Sequence, residues 1–278
     1  MKPSNNDFIN SKNKRLTLLG MSGVGKTHLS KLLSTDDKWY HYSGDYRIGA
    51  KYLSREILDN IKQRIRRDEY LAELLDNNSI AIENKVTFDN LSSISNFLGK
   101  VGNPNQGGLP IDEFTKRQAL FHKAEINAML DVPKFIGKSQ RQGFTHFIND
   151  AGGSLCELDD DGVYQTLAES TLILYIKASK KNQSALIERT KTHPKPLYYQ
   201  NDFLQTQLNI YLQEHQFTYV AQIDPDAFVG WIFPHLLAHR VPKYESIAKQ
   251  YGCTIESEDL YQCTNADEVF ALINEALN

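Results

Sequence analysis

Cysteine is scarce in this chain of 278 residues: Cys156, Cys253 and Cys263 are few, odd in number and widely spaced. That pattern suits neither a disulfide framework nor a cysteine metal site, and the three are read as reduced thiols. An excess of one charge is also missing, since 31 Lys and Arg against 34 Asp and Glu leave a formal charge of −3. Such a balance gives no electrostatic footprint for nucleic acid or for an anionic membrane. The one basic run, Lys62 to Arg67, is followed at once by Asp68 and Glu69 and reads as a solvated helix face. No apolar stretch approaches a membrane span, and the polar segment from Lys2 to Lys14 lacks the apolar core of a signal peptide. The expectation is a cytoplasmic protein without a membrane partner.

What the chain does have is core-forming material, 41% hydrophobic against 23% charged, enough for one large domain. It also has one sharp motif. Gly20-Met21-Ser22-Gly23-Val24-Gly25-Lys26-Thr27 is a complete G-x-x-x-x-G-K-[ST] loop. The apolar run Arg15 to Leu19 before it reads as a buried strand, and His28 to Leu33 after it reads as a helix. Glycines let such a loop fold close around an anion, so its N–H groups and the positive end of the helix point at phosphates. The expected ligands are ATP and Mg²⁺, with Gly20, Ser22, Gly23, Val24, Gly25, Lys26, Thr27 and His28 around the phosphates. Lys26 would reach the β- and γ-phosphates as the catalytic cation, and the Thr27 hydroxyl would take one position on the metal.

Further along, Trp39 to Tyr42 reads as a second strand leading to Asp45, and a long helical stretch from about Ile48 to Leu75 breaks at Asp76-Asn77-Asn78. Residues 80 to 110 carry little periodicity, and Asn103 to Pro110 is a loop. A helix from Ile111 to Asp131 precedes a third strand, Phe144 to Asn149, which ends at Asp150 and the glycines Gly152 and Gly153. Leu172 to Ile176 is a fourth strand, followed by a helix from Asn182 to Thr190. Residues 200 to 239 are mostly helical, Cys253 to Ile255 is a fifth strand and Ala266 to Leu277 a closing helix. Strands alternating with helices predict an α/β protein of the P-loop NTPase fold, a parallel sheet sandwiched by helices, with ligands at the carboxyl ends of the strands. Asp150 at such a strand end is where many P-loop enzymes place the acid that holds Mg²⁺, so Thr27 and Asp150 are the metal candidates.

Beyond the loop, the order of motifs resembles the shikimate kinase family. Ser43-Gly44-Asp45-Tyr46-Arg47-Ile48 is similar to its Asp-x-Asp-x-x-Ile pattern, with Ser43 in place of the first Asp. Phe121-His122-Lys123-Ala124-Glu125 resembles its Phe-Arg-x-x-Glu, with His122 where the substrate-gripping Arg stands, and Gly152-Gly153-Ser154 resembles its glycine triplet. Arg189-Thr190 with Lys195-Pro196-Leu197-Tyr198 resembles its lid, and Arg240-Val241-Pro242-Lys243-Tyr244 its Arg-x-Pro-x-Tyr helix.

The resemblance implies that Asp45 engages the acceptor hydroxyl and that Gly152, Gly153, His122 and Arg240 line the acceptor site, with Arg47 or Arg117 able to substitute for the missing arginine. It further implies that Arg189 packs against adenine and that Lys195 closes over the transferring phosphoryl group as a catalytic cation. Against the compact family fold, the expected organisation is a flexible leader at 1–14 and a single domain over 15–278. Insertions fall at about 76–115 and 199–239. The activity expected is an ATP- and Mg²⁺-dependent kinase acting on a hydroxyl of a small metabolite. The alternative is a P-loop ATPase or nucleotide-dependent switch with a protein partner or a homodimer, for which Trp231 to Leu237 offers either a core segment or a seam.

Overall fold

The computed structural model describes residue 8, residues 10–34 and residues 37–277. Five strands, β1 (Arg15–Leu19), β2 (Trp39–Ser43), β3 (His146–Asp150), β4 (Leu172–Lys177) and β5 (Gly252–Glu256), form one parallel sheet in the order β2-β3-β1-β4-β5. Side chains alternate between faces along a strand, yet Leu172 to Ile176 are all buried, as are Leu16 to Leu19. Both faces of the sheet are therefore covered, which is the condition for a stable parallel sheet. The cover is helical. The first helices are α1 (Lys26–Leu33), α2 (Gly44–Arg47), α3 (Ser54–Ile65), α4 (Glu69–Asp76) and α5 (Ser92–Leu98). They are followed by α6 (Ile111–Leu130), α7 (Val132–Arg141), α8 (Asp161–Ser170) and α9 (Lys180–Thr192). The last are α10 (Asn201–Glu214), α11 (Pro225–Tyr251), α12 (Ser257–Gln262) and α13 (Ala266–Leu277). Among the described residues, no helix is long and apolar enough to cross a membrane.

The long helix expected from Ile48 to Leu75 is instead three pieces: a π turn at Ile48–Tyr52, then α3 and α4. Its second break lies at Arg66–Asp68, where the Asp68 carboxylate accepts from the Leu71 N–H at 3.1 Å and starts a new helix. An aspartate serves better as such a cap than inside a helix. Helices α7 and α8, absent from the sequence reading, fill the connections on either side of β3. The end of the 200–239 stretch, from Pro225, and the segment beginning at Arg240 merge in α11, which runs on through Pro234 and Pro242. Each proline removes one backbone bond, but Phe228, Ile232, Leu236 and Tyr244 are buried along its length and hold it in place. Of the proposed leader, residues 1–7 and residue 9 lie outside the described residues; Phe8 is buried in the main core, with the Lys14 ammonium 4.9 Å from its ring centre.

Two hydrophobic cores result. The larger surrounds the sheet. The smaller lies apart from it: Val101, Leu109 and Phe114 pack with Tyr199, Leu208, Tyr211, Ile223, Phe228 and Ile232. Backbone bonds tie the same elements, Asn103 N–H donating to the Ile223 carbonyl at 2.8 Å. Ile232, Phe233, Leu236 and Leu237 are buried within the chain itself, so that apolar segment is core.

Candidate functional site

The loop between β1 and α1 turns on Gly20, Gly23 and Gly25, with φ of 143°, 90° and 113°. These left-handed conformations are open to glycine and strained for other residues. Gly25 is the N-cap of α1, no side chain caps that helix, and its first turn holds no acid. Among the described residues no side chain caps these amino-terminal N–H groups, which leaves them available to an external anion. Lys26 is buried at 8% exposure, and its ammonium donates to the Gly20 and Met21 carbonyls at 2.8 and 3.1 Å. Burial lowers its pKa; the nearby Asp150 and Asp45 carboxylates oppose that shift. Val24 is anchored in the core, and Gly20 passes so close to the Ile176 carbonyl that a side chain there would sit 2.7 Å from it.

A cavity of about 610 Å³ opens over this loop. It is lined by Tyr261, His28 and Arg189, by Ser22, Gly23, Gly25, Lys26, Thr27 and Lys31 of the loop and α1, by Asp150, Gly152 and Gly153, and by Asp45, Ser43, His41, Phe88 and Asp89. Strand register explains the convergence of the acids. Ser43 pairs directly with Asp150 across β2 and β3, and Leu18 pairs with Asp150 across β1 and β3. All three strands therefore end together at the loop, and Asp150 stands beside Ser43. His41 Nε2 lies 3.8 Å from Asp150.

Asp45 is half-buried in the first turn after β2, and its pKa is pushed up to about 6 by desolvation and then by Asp150, with Lys26 opposing. Behind Gly152 lies Glu125, fully buried on α6. Its Oε2 accepts from the Ser154 hydroxyl at 2.6 Å, while Oε1 has no hydrogen-bond partner among the described residues. Desolvation, aided by the Asp45 charge, pushes its pKa up to about 8. Glu125 is therefore neutral at physiological pH.

Not every expected residue comes to this cavity. Arg189 does, its guanidinium packed so closely over Gly23 that a side chain there would meet Nη2 at 2.3 Å. Arg240 is buried on α11 behind Gly153, where a side chain would meet its Nη1 at 3.8 Å, and it donates from Nε at 2.8 Å and from Nη2 to Glu157 and, from Nη2, to the Tyr198 carbonyl at 2.8 Å. Arg47 pairs with Asp131, Nε to Oδ2 at 2.7 Å, and lies over the Phe135 ring. Arg117 is held by Glu113 and the Phe97 carbonyl. His122 meets the Leu158 carbonyl at 3.2 Å and stacks on Tyr198, facing a separate cavity of about 420 Å³. Lys195 is exposed and lies outside the lining of the main cavity.

The cavity also contains residues that sequence reasoning missed. Tyr261, on α12, lies 5.3 Å from His28 between ring centres with the rings tilted by 34°, and it lines the cavity together with Arg189. Phe88 and Asp89 are the middle of a turn whose ends, Thr87 and Asn90, exchange backbone bonds of 3.2 Å in both directions. The Asn90 side chain accepts from Ser92 N–H at 3.2 Å and so joins the turn to α5. Helix α5 in turn presses Ile94 onto Gly49 of the π turn, where a side chain would clash at 2.4 Å. The sequence signal for this turn is Thr-Phe-Asp-Asn, two turn formers around an aromatic and an acid.

No family model matches this chain, and no curated protein matches it. Among solved structures, shikimate kinase from Bacteroides thetaiotaomicron is similar over 94% of this chain and 95% of its own, with 14% identity and a TM-score of 0.40. The roles of individual residues rest on this chain's own geometry.

Proposed function

We propose that this protein is an ATP- and Mg²⁺-dependent kinase that transfers the γ-phosphoryl group to a hydroxyl of a small molecule. The observation that carries the reading is one cavity lined by an uncapped helix start, a buried lysine and the Asp45 and Asp150 carboxylates. The triphosphate would lie on the N–H groups of Ser22 to Thr27 with Lys26 against its terminal oxygens, and the base between Arg189 and Tyr261, where a guanidinium plane and an aromatic ring suit a flat heterocycle.

The residues present fit Mg²⁺. Among the described residues, no group of three or more His, Cys, Asp or Glu could enclose a metal, and Mg²⁺ on a nucleotide needs only one or two protein ligands beside phosphate and water. Thr27 and Asp150 supply those, directly or through water. When bound, the ion neutralises charge on the phosphate oxygens. Asp45 orients the acceptor hydroxyl and takes its proton on a carboxylate oxygen, as its raised pKa permits. Phosphoryl transfer depends mainly on position and charge, and the chain supplies both at the strand ends.

The test is ADP formation by the purified protein with and without pools of small hydroxyl compounds. A kinase is slow until an acceptor is added. Brisk hydrolysis that no compound stimulates identifies an ATPase instead.

A further inference from the structure

His41 stands on β2 two residues before Ser43, so the two side chains share a face of the sheet. Strand β2 is an edge strand, yet the His41 side chain is only 33% exposed and lines the cavity with Thr27 and Asp150. Its Nε2 is buried and has no hydrogen-bond partner among the described residues. Asp150 Oδ2 lies 3.8 Å from that nitrogen, about 1 Å beyond a hydrogen bond. The Phe88 ring flanks the imidazole at 5.6 Å between centres, tilted by 38°, and the Thr87–Asn90 turn holds Phe88 in place. A buried donor left without a partner costs about 1 to 3 kcal/mol, which favours turning it onto an acceptor within reach. The turn itself is cheap, because the last torsion of an aspartate has a broad minimum.

Resting on the assignment of Asp150 to Mg²⁺ in the kinase reading, we infer that His41 is the positioning residue of the metal site: its Nε2–H donates to Asp150 Oδ2 and leaves Oδ1 to the ion or to a water on it. The neutral imidazole with its hydrogen on Nε2 is such a donor. It is no ligand for the ion itself, since Mg²⁺ takes oxygen. A carboxylate that holds a metal is aimed by its own hydrogen bonds, and loss of such a partner weakens metal binding by about 10- to 100-fold. Without His41 the Asp150 carboxylate keeps its charge and loses its direction. The N–H groups and the lysine that hold the phosphates are untouched, so nucleotide binding without magnesium stays the same.

The test is calorimetric titration of ATP into the wild type, His41→Leu and His41→Gln, once in saturating magnesium and once in EDTA. The quantity read is the factor by which magnesium tightens ATP binding, the Kd in EDTA over the Kd in magnesium. Leucine fills the place of the ring without a donor, and glutamine carries an amide N–H about as far out as Nε2. His41→Leu should lower the factor about tenfold with the Kd in EDTA unchanged, and His41→Gln should restore most of it. In an Asp150→Asn background His41→Leu should cost nothing further, because the two residues act as one unit; a histidine that only packs the strand would lower the factor again. Thermal unfolding checks each variant, and His41→Asn, too short to reach Asp150, replaces the leucine variant if that one does not fold. Equal factors in the wild type and the donor-free variant, or equal losses with leucine and glutamine, overturn the inference and leave the kinase reading intact. A wild type that binds ATP no more tightly with magnesium than without it overturns the metal assignment and the inference together.

Discussion

Glu125 is a buried carboxyl whose protonation can be read as stability. Its pKa is raised by desolvation from an ordinary carboxylate value of 4.5 to about 8. A group whose folded pKa is raised favours the folded state most when protonated. Its contribution is full below the unfolded pKa and is lost as pH climbs through the folded one. Between pH 5 and 8 the slope is about 1.4 kcal/mol per pH unit, so the loss from this residue alone is about 4 kcal/mol. Glu125→Gln keeps an oxygen to accept the Ser154 hydroxyl and cannot ionise. Urea unfolding of both proteins at pH 5 and pH 8 isolates the effect: the wild type should lose about 4 kcal/mol more than the variant over that interval. A stability difference that does not change with pH would refute the reasoning, because it would mean that the carboxyl is charged throughout or has the same pKa when unfolded.

Asp150→Asn should raise the Mg²⁺ concentration needed for half-maximal turnover more than Asp45→Asn does, and a magnesium titration of both variants checks it. Asp45 must be ionised to take a proton, so acceptor-dependent kcat should rise with pH up to about 6 and then level. The Asp45→Asn variant should lose both that limb and most transfer, and a retained limb would assign it to another group. Gly252→Ala should be severe: the added carbon would lie 1.8 Å from the Ile173 carbonyl oxygen, inside the β4–β5 pairing. A loss of about 3 kcal/mol or more is expected by thermal unfolding, and an unchanged melting temperature would contradict the register.

The elements legible in the sequence were those fixed by local pattern. The P-loop, the apolar runs of β1 and β4 and the closing helix α13 were all found from composition and spacing. Asp150 was found because it ends an apolar strand, although only the register shows it beside Ser43. What escaped depends on long-range pairing. The partners of Arg47 and Arg240 lie 84 and 83 residues away, and nothing local marks Asp131 or Glu157 for them. The Phe88–Asp89 turn carries no hydrophobic period because side-chain and backbone bonds hold it rather than a buried face. The second core is equally silent in sequence, since it is assembled from two stretches far apart in the chain, Val101 to Phe114 and Tyr199 to Leu236.

The central claim is that a buried lysine and the uncapped start of α1 hold a triphosphate. Titrating ATP with magnesium into the protein in a calorimeter tests this most directly, with Lys26→Ala as the matched control and its folding verified by circular dichroism. The wild type should give saturable binding at micromolar to millimolar ATP, on the order of 4 to 8 kcal/mol, and the variant should bind at least about tenfold more weakly, having lost a charged hydrogen-bond donor. No heat from the wild type, or equal affinity in both, would contradict the account.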